Sequence, residues 1–469
     1  MIRCLLFLWF LIWLAPLNQA LAQKTCQDCH PYRLDPAHQF SCQKCHKGLS
    51  PASGAEEAHQ GLKSEPALDE DGGAGVCISC HREASLSAIT TKHYHLTDEV
   101  NLVRQAFGLS PLASALEIPR PVKIRHLEDL VNDLLRRRCL RCHVYDPGDT
   151  YPETTHGTGC AACHLTYGDG KLIDHRFTSQ IPDRTCLHCH YGNFVGWDYY
   201  GRFDHDYPAP FRSPLKEGLP PERPYGVEYF QLSPDVHQEA GMACIDCHRA
   251  SLMGRGQDPS CLDCHGERPQ APGVVVEGGR LVLVTSAGHR LSLPRMEARP
   301  SHREEILSQS RCSVCHARFT FWDEGTYLVR LDSIDYEDWS ELLVQGSSEV
   351  EELIIQGLTS PEPPPPYMQD KFNHKFYLGL WLKGFKKRRW EEMAIVEDKN
   401  GRLSLARPLL KIYLSYLTRD EELLFDNLPA KSGGLLPYSP HSIGQADAFR
   451  SLKVIQRIKA KVPKRPVRP

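Results

Sequence analysis

The stretch from residue 139 to residue 190, CLRCHVYDPGDTYPETTHGTGCAACHLTYGDGKLIDHRFTSQIPDRTCLHCH, contains the pentapeptide Cys-x-x-Cys-His three times. Its copies are Cys139, Cys142 and His143; Cys160, Cys163 and His164; and Cys186, Cys189 and His190. Six more copies flank it. Upstream are CQDCH (Cys26, Cys29, His30), CQKCH (Cys42, Cys45, His46) and CISCH (Cys77, Cys80, His81). Downstream are CIDCH (Cys244, Cys247, His248), CLDCH (Cys261, Cys264, His265) and CSVCH (Cys312, Cys315, His316).

Two thiols three residues apart can add to the two vinyl groups of one porphyrin, and the adjoining His then lies under the iron as an axial ligand. The pattern therefore predicts nine covalently attached haem c groups. Zinc ribbons or a disulfide scaffold would not require a His directly after every Cys-x-x-Cys. With His at roughly one residue in twenty, nine such coincidences are negligible. Of the 19 cysteines, 18 lie in the motifs, and only Cys4 stands outside them.

Cys4 belongs to residues 1–22, which read as a signal peptide: Arg3, an apolar run to Leu14, and Ala20-Leu21-Ala22 before Gln23. Export to the periplasm follows, with the chain either free there or held at the outer membrane or outside it by a partner. No later stretch is long and apolar enough to span a bilayer. The formal charge is −3, and propionates would make the holoprotein more acidic, which excludes non-specific nucleic-acid binding.

The 23 His residues leave 14 after the nine motif positions, whereas Met is scarce. Most irons are thus expected to be bis-histidine, which suits electron transfer more than substrate binding. Proximity to the motifs ranks His38, His59, His95, His156, His175, His205, His237, His289 and His302 as the distal ligands. His93 is the substitute for His95, with His126 and His374 in reserve, and His188 within CLHCH is expected to be exposed. His441, in PYSPHSIGQ, is either the relic of a tenth site or a ligand to an iron held elsewhere.

The expected organisation after the signal peptide begins with a three-haem region at 23–95 and a haem-free helical connector at 96–138. A six-haem region at 139–316 with an aromatic, Pro-rich insert follows, and then a haem-free domain at 317–469 with a basic tail. Leu127, Leu130, Val131, Leu134 and Leu135 recur at helical spacing, so a helix should deliver the chain to Cys139. GVVVEGGRLVLV predicts a β-hairpin turning at Gly278-Gly279. After His316, helical periodicity runs from Trp339 to Leu358, and LSLARPLLKIYLSYL suggests strands. Lys386, Lys387, Arg388 and Arg389 read as solvated surface, and the tail from Lys453 as disordered.

Motifs, signal peptide and His surplus together resemble the multihaem c-type cytochromes of bacteria that respire on metals, sulfur compounds or nitrogen oxides. The resemblance rests on the haem motifs and covers about two thirds of the chain. It implies a multihaem cytochrome c fold, mostly coil and short α-helices organised around a haem stack. A minor β-hairpin and a haem-free mixed α+β C-terminal region would complete it. It also implies redox protein partners as electron donors and acceptors. The Cys-x-x-Cys-Lys site of nitrite-reductase relatives is absent, and the count differs from the eight haems usual in hydroxylamine-oxidising relatives. Three functions follow: an electron carrier, a reductase with one open-coordination haem acting on a small oxyanion or nitrogen compound, and a structural subunit of an extracellular haem conduit.

Overall fold

The computed structural model describes residues 23–69, 73–121, 123–193, 196–204, 223–252, 256–339, 344–431 and 434–461. The expected signal peptide and His205 lie outside them. The chain forms two units, Met1–Pro66 and Ala67–Pro469. It is mixed α/β, with 32% helix and 21% strand, and most of the strand lies after His316.

In the described part of the first unit the helices Cys26–Cys29, Gln43–His46 and Ala55–Ala58 are each a single turn. Isolated bridges join Lys24 to Ala52 and Lys47 to Leu62. Ala52 is the one buried apolar residue there before Pro66, while Tyr32, Phe40, Leu49 and Leu62 are exposed. This segment has no apolar core of its own to offset its ordering entropy.

The second unit is built differently. Its main core joins the 96–138 connector to the region after His316, two segments expected to be separate. A four-stranded sheet runs in the order Leu380–Arg389, Trp322–Leu331, Ile412–Leu417, Leu423–Pro429. The middle pair is parallel and the outer pairs are antiparallel. Leu331 opposes Leu380 and Val329 opposes Leu382, which sets one apolar register against the connector. The connector helix Leu127–Leu134 buries Leu130, Val131 and Leu134 there, together with Leu135 just beyond it.

Past Leu134 the helix widens into a π-type turn, Leu135–Cys139, that ends on the first Cys of the fourth motif. Such widened turns cluster at functional sites. Three consecutive arginines in it, Arg136, Arg137 and Arg138, are buried. Arg136 holds Asp370 through two bonds of 2.6 and 2.8 Å, and Arg137 donates to the Tyr377 and Leu378 carbonyls. The Leu380 strand is thus tied to the fourth motif by charge as well as by apolar contact.

The hairpin pairs Val274–Glu277 with Arg280–Val284, turning on Gly278 and Gly279 at φ 54° and 78°. Positive φ at both central residues is what a tight hairpin turn needs. The chain ends in a helix, Ala448–Lys461, whose Val454 and Ile458 pack with Ile306, Val314 and Leu405. The tail is therefore ordered through residue 461, because Val454 and Ile458 lie one helical turn apart and share an apolar partner surface.

Candidate functional site

The motifs fold alike. In six of them the His amide donates to the carbonyl of the first Cys at 2.8 to 3.1 Å: His30, His46, His81, His164, His190 and His316. One helical turn places both thiols on one side, with the imidazole following them. Where the residue before the second Cys is Asp, its carboxylate caps the turn: Asp28 accepts from Thr25, Asp246 from Ala243 and Asp263 from Ser260. None of the eighteen motif cysteines is in a disulfide. Among the described residues no three His, Cys, Asp or Glu side chains converge on one point, as a zinc ribbon would require.

Five motif histidines instead face a second imidazole. His30 faces His59 at 6.1 Å between ring centroids, His190 faces His93 at 6.3 Å, and His248 faces His441 at 5.9 Å. His265 faces His237 at 6.0 Å and His316 faces His302 at 6.2 Å. Two imidazoles ligating one metal from opposite sides, at about 2 Å per bond, hold their centroids roughly 6 Å apart. A direct imidazole hydrogen bond would bring them to about 5 Å. The spacing therefore fits one metal between each pair.

Hydrogen bonds select the tautomer that this requires. Nδ1 of His265 lies 2.8 Å from the Pro294 carbonyl, Nδ1 of His316 3.0 Å from Gly444 and Nδ1 of His302 2.8 Å from Glu297. Nδ1 of His248 contacts Asp258 and Nδ1 of His237 contacts Asp235, each at 2.7 Å. His46 and His164 repeat the pattern on Lys63 and Thr178 carbonyls. A ring that donates from Nδ1 keeps Nε2 as its acceptor, and such outer partners orient metal-binding histidines. Asp235 also caps the helix Val236–Glu239, which fixes His237, and the Asp235 hydrogen bond raises the pKa of that histidine.

The geometry re-sorts the expected distal ligands. His59, His237 and His302 each face a motif histidine. His93 takes the place given to His95, which is exposed and whose Nδ1 meets Thr97 instead. The one-turn helix Lys92–His95 turns the two in different directions. His289 is exposed at the end of a strand turn, bonded through its backbone to Thr285. His175 packs edge-on against Phe177, and Nδ1 of His38 pairs with Asp35 at 2.9 Å. His188, expected at the surface, is buried and faces His156 at 6.2 Å. This sixth pair contains no motif histidine.

His441 shows that the C-terminal region builds the sites. Its amide donates to Asp198, the Ile443 amide donates to Asp235, and the Gly444 carbonyl receives His316 Nδ1. Four consecutive residues thus serve the seventh, eighth and ninth motifs.

Thiols of different motifs touch. Cys26 hydrogen-bonds with Cys42 in the first unit. In the second, Cys77 meets Cys160, Cys142 meets Cys189, Cys186 meets Cys244 and Cys261 meets Cys312. Cys163 feels the charge of Cys186, and Cys247 that of Cys264. The motifs of the second unit therefore adjoin in the order three, five, six, seven, eight, nine, with the fourth beside the sixth.

That fourth motif is the exception in conformation. The His143 amide bonds to Leu140 and not to Cys139, and the Tyr145 amide points at His143 Nδ1 from 3.4 Å. Its ring lies 4.0 Å from that of Tyr145, and burial lowers its pKa to about 3. Arg138, Arg141 and Lys383 surround the Cys139 thiol, which burial nevertheless pushes up to about 11. Burial, then the two arginines, lowers Lys383 to about 7.

Compared with known proteins, the chain matches no family model, no curated protein and no solved structure.

Proposed function

We propose that each Cys-x-x-Cys-His motif holds one haem c through two thioether bonds, and that the protein is a nonahaem electron carrier in bacterial respiration. The observation that carries this is the recurring pair of imidazoles with centroids 5.9 to 6.3 Å apart, each pair including one motif histidine. Bound haem supplies a one-electron ferric/ferrous couple. The chain's own residues do the rest. At the five paired sites the two imidazoles would hold the iron between them and leave no room for other ligands, while Nδ1 partners such as Asp258 and Asp235 orient the rings.

Adjoining thiols favour a continuous route from the third motif to the ninth. The porphyrins would also supply the apolar surface that the described part of the first unit lacks. Redox proteins of the periplasm or outer membrane are the proposed donors and acceptors, with the chain exported by its N-terminal signal. Among the described residues no helix is long and apolar enough to cross a membrane.

Mass spectrometry of the exported protein, with haem quantified as the pyridine complex, tests the reading. Nine haems per chain, reduced and reoxidised reversibly, are expected. A mass equal to that of the bare polypeptide would overturn it.

A further inference from the structure

We propose that the outer face of the C-terminal helix, Ala448–Lys461, docks an acidic redox protein beside the ninth motif. The inference deepens the electron-carrier reading above, on which it rests, by naming where electrons cross to a partner. Position, charge and apolar exposure meet on this helix.

Position comes first. The ninth motif is the last in the order of adjoining motifs, where Cys312 meets Cys261 of the eighth. The helix lies directly on it. The Asp447 amide donates to the Cys315 carbonyl at 3.0 Å, and Arg450 donates to the Cys315 and Ala317 carbonyls. Val454 and Ile458 pack with Val314, which stands between the two motif cysteines. A protein seated on the outer face is therefore one helix diameter, about 10–12 Å, from the motif, a span that electrons tunnel across.

Charge is the second observation. Ala448–Lys461 has five Lys and Arg and neither Asp nor Glu, in a chain of formal charge −3. Arg450 turns inward to the carbonyls, whereas Lys453, Arg457 and Lys459 are exposed. Like charge gathered on one face steers an oppositely charged partner and fixes its orientation.

Apolar exposure separates this face from an ordinary solvated one. Phe449 and Leu452 are 68% and 52% exposed, three positions apart and so neighbours on the helix, and the Lys453 ammonium stands 4.4 Å over the Phe449 ring. An apolar centre rimmed by charge is the layout of a protein interface. A helix lying in a membrane surface would insert its continuous apolar stripe. Here that stripe, Val454, Ile455 and Ile458, faces the core.

Reduced flavodoxin, an acidic one-electron protein, is the probe. It loses one electron and a ferric iron of the holoprotein gains it, which stopped-flow absorbance follows. Lys453→Glu combined with Lys459→Glu should lower the bimolecular rate constant at least about tenfold at low ionic strength, and the variant should converge on the parent in high salt. Lys123→Glu combined with Lys171→Glu, at two exposed lysines outside this helix, changes net charge equally and should have a far smaller effect. An equal loss in both pairs would overturn the proposal, since net charge alone would explain it. So would a rate unchanged in the first pair, or a loss accompanied by shifted haem potentials, which would assign the lysines to propionates. Binding to phosphatidylglycerol vesicles that the first pair abolishes, with the flavodoxin rate unchanged, would give the face to a membrane instead. These outcomes leave nine haems and the electron-carrier reading standing, whereas a protein without haem would defeat both.

Discussion

His441 faces His248 at 5.9 Å although 193 positions separate them in the chain. Asp198, buried within the Trp197–Tyr200 turn, accepts the His441 amide at 2.7 Å and holds the loop in place. Replacing His441 with Ala should therefore leave the seventh iron with one axial ligand and add one high-spin centre to the oxidised spectrum. His374→Ala, at a histidine paired with Asp146 at 3.9 Å and facing no motif imidazole among the described residues, should add none. Identical spectra for the two variants would remove His441 from the ligand set.

A second contrast separates neighbours. His93 faces His190, whereas His95 is exposed with its Nδ1 2.7 Å from the Thr97 hydroxyl. His93→Ala should give a high-spin sixth iron and interrupt reduction along the route between the third and seventh motifs. His95→Ala should behave as the parent in both measurements. The opposite result would restore the assignment that sequence proximity suggests.

What the chain makes legible follows from how local each interaction is. The eighteen thiols and nine proximal histidines are set by one helical turn, so spacing alone names them. Of the distal histidines only His302, 14 positions before His316, stands close to its own site, whereas His59 and His237 reach His30 and His265 across an intervening motif, 29 and 28 positions away. His441 and His93 are hard to place because a distal ligand answers to the fold and not to its neighbours in sequence.

The sheet illustrates the same limit. Its parallel pair, Trp322–Leu331 with Ile412–Leu417, joins segments some eighty residues apart and leaves no mark in either. The basic cluster at 386–389 reads as solvated surface in the sequence. In the structure Lys386 is exposed, but Arg388, two residues on, is buried between Asp204 at 2.8 Å and Asp323 at 2.9 Å, two carboxylates from distant segments that draw its guanidinium inward.

The outer partners of the imidazoles should tune the irons. Asp258 accepts from both His248 Nδ1 and the Ser251 hydroxyl, at 2.7 and 2.8 Å. A carboxylate on Nδ1 makes the imidazole a stronger donor and favours the ferric state. Asp258→Asn should raise the potential of the seventh haem, on the order of tens of millivolts, without changing its spin state. Potentiometric titration of parent and variant reads the shift; a fall in potential would contradict the argument.

Asp133 anchors the core on which the fourth motif rests. It accepts the Trp381 indole N–H at 2.8 Å and lies 3.4 Å from Arg330 and 3.5 Å from Arg137, all of them buried. Asp133→Ala leaves two enclosed guanidinium groups without their shared carboxylate, a change that costs about 3–5 kcal/mol when a buried pair is broken. Asp98→Ala removes only an exposed contact to Lys92 at 3.8 Å and should leave stability unchanged within error. Urea unfolding of the holoprotein, followed by tryptophan emission, measures both. Because Arg137 also holds the carbonyls of Tyr377 and Leu378, the loss should loosen the Leu380 strand that carries Lys383. A variant as stable as the parent would mean that Asp332, 3.2 Å from Arg330, can carry the charge alone.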